Sequence, residues 1–150
     1  MQQLSQIIFA ALGAIAFSVL FNAKGKKILA SAVGAAITVV VYNAALKVTD
    51  DKVISLFFAT LAAAVFAEIM ARIIKAPVIV FLVPILVPLF PGGDLYYTTI
   101  NFVQGNTAQF GYYAKLVLSD AGVIGFGVIM ITSTVQVVLK VFRHFKKSAL

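Results

Sequence analysis

Residues 84–101 read Pro-Ile-Leu-Val-Pro-Leu-Phe-Pro-Gly-Gly-Asp-Leu-Tyr-Tyr-Thr-Thr-Ile-Asn, an apolar helical pattern interrupted by Pro84, Pro88, Pro91 and then Gly92-Gly93. Each proline removes a backbone donor and clashes with the preceding turn, so no straight helix continues through this stretch. Asp94 follows the glycines at a position suited to capping a new helix. In a soluble protein such a break is a turn. At depth in a membrane it must face protein or a water-filled cavity, because lipid cannot satisfy freed backbone groups.

Composition decides between the two settings. The chain of 150 residues is 62% hydrophobic and 11% charged, with a mean hydropathy of +1.06; soluble domains carry roughly 25% charged residues. An all-α integral membrane protein follows, with 1–150 as a single transmembrane helical domain. There is no cysteine, hence no disulfide framework, thiol nucleophile or thiolate metal site. The net charge of +7 comes from Lys and Arg clustered beside apolar runs, a pattern of membrane topology rather than nucleic-acid binding.

Four long apolar runs flank the break. Residues 4–23 carry no charge and are long enough to span; no Lys or Arg precedes them, which argues against a signal peptide. Ala10, Ala14, Ser18 and Asn22 form a small, polar-leaning stripe expected to face another helix. The second span, 28–46, repeats this spacing at Ala30, Gly34 and Thr38. A turn over 47–52 reads as an ordinary solvated connection. The third span, 53–73, carries the longest ladder: Ala59, Ala63, Ala67 and Ala71. The broken fourth span covers 78–102, a polar loop is expected over 103–113, and the last span runs from 116 to 141 with Asp120 near its start. The reading is about five transmembrane helices, the fourth broken at Pro91–Gly93.

Counting Lys and Arg by side orients this arrangement. Lys24, Lys26, Lys27, Arg72, Lys75, Lys140, Arg143, Lys146 and Lys147 fall on one side, and Lys47, Lys52 and Lys115 on the other. The richer side is cytoplasmic by the positive-inside rule, which puts the C-terminus there and the N-terminus outside. A re-entrant fourth segment would move the tail to the poorer side, so a broken but spanning helix is expected.

Glu68 and Arg72 lie four apart on the third span, with Glu68 the one acid well inside a span. An intramembrane acid is a candidate for ion coupling; here Arg72 also suits a structural pair at the membrane edge. At the break, a helix N-terminus offers unpaired N–H groups and partial positive charge to an anion, as half-helices do in transporters. Leu95, Tyr96 and Tyr97 would supply the donors. Asp94 would repel a pure anion, which makes an amino acid with both charges the better cargo. Pro91, Gly92, Gly93, Asp94, Tyr96, Tyr97 and Asn101 are therefore the candidate substrate-binding residues. There is no ATP-binding Gly-Lys motif, metal-ligand cluster or Ser/His/Asp arrangement, and the single histidine, His144, lies in the basic tail. Neither a cofactor nor enzymatic catalysis is expected. Pro91-Gly92-Gly93-Asp94 lacks the first glycine of the Gly-x-Gly-Asp motif of intramembrane aspartyl proteases, whose chemistry needs a second carboxylate, with Asp120 the one other acid to supply it.

Pro84, Pro88, Pro91 and Gly92, set in Val-Pro-Ile-Leu-Val-Pro-Leu-Phe-Pro-Gly-Gly and followed by Tyr96 or Tyr97, resemble the signature of the threonine/serine exporter family, small-subunit type. Phe21-Asn22 and the basic turn before Pro77 are also similar. The resemblance implies a secondary exporter in the bacterial inner membrane, moving threonine, serine or, in two-component relatives, dicarboxylates such as succinate. It further implies a larger membrane subunit of the same family as partner, and leaves room for homo-oligomerisation. Gly93-Asp94 stands where uncharged small residues are commoner in the family, which leaves the substrate open. The alternative is a non-transporting assembly subunit that scaffolds the larger partner.

Overall fold

The computed structural model describes the backbone of residues 2–148 and the side chains of residues 3–141. The side chains of Arg143, His144, Lys146 and Lys147 lie outside the described residues. Among those described, the chain is helical throughout: α1 (Gln2–Leu20), α2 (Lys26–Thr49), α3 (Lys52–Ile74), α4 (Ile79–Leu86), a 3-10 turn (Val87–Leu89), α5 (Gly92–Val103) and α6 (Thr107–Ser148). Helices α1, α2, α3 and α6 are each long and apolar enough to cross a membrane; Ile79–Leu89 and Gly92–Val103, bent by 66° at the break, are long and apolar enough as a pair, which gives four spans, or five where the bent pair is counted as one.

The break is built stepwise by the prolines. Pro84 is held inside α4, Pro88 lies in the turn where the helix tightens to 3-10, and Pro91 ends it. A residue before proline is pushed out of the helical region, and Phe90 is extended at φ −64°, ψ 134°. Gly92 and Gly93 belong to the new helix, so the interruption falls between Leu89 and Gly92. Asp94 is not the cap. Pro91 holds the N-cap position without a side-chain bond, and Asp94 stands in the first turn of α5, where a negative charge complements the helix dipole.

The small-residue stripes are the packing surfaces, as their spacing implies. Ala10, Ala14 and Ser18 of α1 are buried, as are Ala59, Ala63, Ala67 and Ala71 of α3. Asn22 falls off the stripe, because the chain leaves α1 there in a left-handed conformation at φ 57°. Helices α1 and α2 are antiparallel, and Asn43 donates to Gln6 at 3.1 Å at the end away from their turn. Helix α4 inserts among α1, α2 and α3, with Phe81 and Ile85 fully buried. Gly34 admits it: a Cβ there would lie 2.5 Å from Ile85 Cδ1 and 2.8 Å from Phe66 Cδ1. Between membrane helices such close contact provides van der Waals attraction that lipid-exposed apolar surface cannot.

Helix α6 runs parallel to α3. Lys52 meets Asp120, Phe57 stacks on Phe126, and Thr60 abuts Gly127, in the same order along both. Residues 107–119 therefore extend past the level at which α3 begins, by roughly 20 Å at 1.5 Å per residue. Helix α5 packs back along this extension: Tyr97 stacks on Tyr113 at 5.0 Å, and Phe102 meets Phe110 at 5.5 Å. No α5 residue is buried. The polar loop expected over 103–113 is shorter than the composition suggested. Gly105, at φ +72°, turns the chain, and the Asn106 side chain accepts from Gln109 N–H at 3.3 Å, which starts α6 at Thr107.

Candidate functional site

A cavity of about 590 Å³ opens at the break. Its lining comes from Ser5 to Gly13 of α1, from Val39, Tyr42 and Asn43 of α2, from Lys52 and Leu56 of α3, from residues 87–94 around the break, and from Asp120 of α6. The cavity thus reaches from the Lys52 end of the bundle to the middle of α1, where Ala10 and Gly13 lie. The wall is largely apolar with a few convergent polar groups, the usual make-up of a small-molecule site.

Those polar groups converge on Lys52. Its Nζ lies 2.7 Å from Asp120 Oδ2 and 3.0 Å from Asp94 Oδ2, so one amine bridges carboxylates carried by α5 and α6. The environments differ: the Asp120 side chain is 3% exposed, Asp94 22% and Lys52 49%. Lys52 is placed by its neighbour. Asp51 caps α3, accepting from Val53 N–H at 2.7 Å and Ile54 N–H at 2.9 Å, and the first helical residue then points its amine across to α6. The turn over 47–52 is therefore more than a solvated connection.

On the far side of the break the first turn of α5 contributes backbone donors. Gly92 N–H bonds to Phe90 O at 2.8 Å and Leu95 N–H to Pro91 O at 2.9 Å, leaving the amides of Gly93 and Asp94 unpaired among the described residues. Because α5 begins at Gly92, these two replace Leu95, Tyr96 and Tyr97 as the free donors. A Cβ on Gly92 or Gly93 would meet nothing within 4 Å.

Of the residues picked out in the sequence, Pro91, Gly92, Gly93 and Asp94 line the cavity. Tyr96, Tyr97 and Asn101 are not among its lining residues. Tyr96 and Tyr97 are exposed and join the aromatic cluster of α5 and α6, while Asn101 donates to Tyr97 O at 2.7 Å. Glu68 and Arg72 also lie outside the cavity. Glu68 is buried and pairs with Arg72 at 2.6 Å, and Arg72 bonds to the Glu68 carbonyl as well. They are separated from Lys52 by most of α3, about 24 Å at 1.5 Å per residue. Lys52 and Asp120 are absent from the substrate-site residues that the sequence suggests, and Asp120 figures there only as the second acid of the protease motif. Asp120 is the one acid of the last span, and it gained meaning only from a parallel α3–α6 packing that no local pattern encodes. Asp94 and Asp120 do come together, but with Lys52 between them, in the place where a proton-sharing protease dyad would need direct contact.

No curated protein and no solved structure matches the chain. A family model described as Threonine/Serine exporter, ThrE, matches residues 6–134. That interval takes in the lining of the cavity except Ser5 and the whole of the broken segment, and the chain belongs to the threonine/serine exporter family.

Proposed function

We propose that this chain is the small subunit of a two-subunit secondary exporter of small amino acids, and that the cavity at the break lies on the substrate path. The observation that carries the reading is the joining, in one cavity, of free N–H groups at the start of α5 with the Asp94–Lys52–Asp120 triad. The amides suit a carboxylate. The triad holds two carboxylates and one amine, and its residual negative charge suits an ammonium. A zwitterion satisfies both; a dicarboxylate satisfies one and is repelled by the other. Threonine or serine is accordingly the better cargo than succinate.

The one-to-one Glu68–Arg72 pair acts as a structural link. The uncovered flank of α5 favours a larger membrane subunit as partner, the family favours the bacterial inner membrane, and the Lys and Arg distribution favours a cytoplasmic C-terminus. In that orientation the Lys52 end of the cavity faces outward. The assembly-subunit reading is separated from this one by Gly92→Leu, whose side chain would enter open space at the cavity wall. In proteoliposomes holding the subunit with its native membrane partner, the variant should assemble normally and lose at least tenfold in threonine counterflow. Unchanged counterflow in an intact complex would reject the cavity as the path.

A further inference from the structure

The triad does more than balance charge, because its three members stand on three helices that differ in how firmly they are held. Lys52 opens α3, whose alanine ladder is buried in the core, and Asp120 lies where α6 packs on α3. Asp94 belongs to α5, which has no buried residue and whose packing is against α6. The Lys52–Asp94 bond is a direct tie between α5 and the core at the cavity wall. It is also the longer and more exposed of the two ion pairs, 3.0 Å against 2.7 Å, with Asp94 seven times as exposed as Asp120.

We infer that Lys52 is a tethered stand-in for the substrate's ammonium: in the empty cavity it occupies Asp94 and latches α5, and an incoming primary ammonium replaces it there while Lys52 stays on Asp120. This rests on the transport reading for the identity of the ligand and deepens it, since it makes the amine, rather than the carboxylate, the group that opens the site. Exchange of one ammonium for another at a partly solvated carboxylate changes little in Coulomb energy, so the switch needs no burial of an unpaired charge. Asp120 supplies the reason that Lys52 does not simply leave: it is buried, and withdrawal of the amine would strand its charge.

The absence of cysteine from the sequence allows clean spin labelling. With labels at Val48→Cys on α2 and Thr99→Cys on α5, both exposed positions, pulsed dipolar distances are measured on the complex in nanodiscs. L-threonine and threonine amide, which keep the ammonium, should broaden or shift the distance. N-acetyl-threonine and succinate, which lack it, should not. The double variant Lys52→Met with Asp120→Asn removes the latch without stranding the buried carboxylate. It should show the broadened distribution with no ligand and bind L-threonine about threefold tighter, as expected for loss of a weak competing ion pair. Asp94→Asn should be equally broadened and bind at least tenfold more weakly. An unchanged distance in the double variant would overturn the latch whatever the substrate is. A response to N-acetyl-threonine or succinate equal to that of threonine would overturn the ammonium exchange. Failure of the wild type to bind threonine, with the double variant still broadened, would reject the transport reading and keep the latch.

Discussion

At the scale of single residues, two features of the interior are open to direct test. Gly34 lets α4 approach because no Cβ is present, and the nearest obstacle, Ile85, is itself fully buried and has little room to yield. Gly34→Ala should therefore cost about 1–3 kcal/mol, the usual range for overpacking. Gly92→Ala adds the same methyl to open space and should stay within about 0.5 kcal/mol of wild type. Unfolding in mixed detergent micelles would compare them. Ser18 and Ser31 provide a second case. Both hydroxyls are buried with no hydrogen-bond partner among the described residues, and an unsatisfied buried polar group costs roughly 1–3 kcal/mol. Ser18→Ala and Ser31→Ala keep the small size the helix contact requires while removing that cost. The same unfolding assay should find each variant as stable as wild type or up to about 1 kcal/mol more so.

At the scale of elements, the caps explain where helices begin and which side chains they aim. The Asp51 carboxylate takes two N–H groups of α3 and so fixes the turn that projects Lys52 toward Asp94 and Asp120. Asp51→Ala should destabilise the bundle by about 1 kcal/mol, with Asp51→Asn close to wild type, because asparagine caps about as well as aspartate. Melting followed by circular dichroism in detergent would read both. The elements were largely legible in the sequence because membrane helices declare themselves by length and apolarity, and their contact faces by four-residue spacing of small residues. Ala59, Ala63, Ala67 and Ala71 were all placed correctly on the buried side. Legibility ended where polarity was a poor guide to structure. Residues 107–113 are polar and suggested a loop, yet they form the first turns of α6 because Asn106 caps them and α5 provides aromatic partners.

At the scale of the whole molecule, the site depends on packing between segments far apart in sequence. The break was visible in Pro84, Pro88, Pro91 and the glycines, since local sterics determine it. The charge environment was not. Lys52 lay in a turn and Asp120 at a helix start, 68 residues on, and only the parallel course of α3 and α6 brings them to Asp94. The same packing places Tyr96, Tyr97 and Asn101 on the α5–α6 extension and away from the cavity, which a local reading of the break could not foresee. On the proposed path, substrate passes the first turn of α5. Gly93 lines the cavity, tolerates an added Cβ and stands in a chain without cysteine. A Gly93→Cys variant of the complex, labelled by a water-soluble methanethiosulfonate with and without L-threonine, tests that claim most directly. Threonine should slow labelling at this position at least threefold and leave labelling of a Val48→Cys control unchanged; equal rates at position 93 with and without threonine, in a complex that still exports it, would contradict the claim.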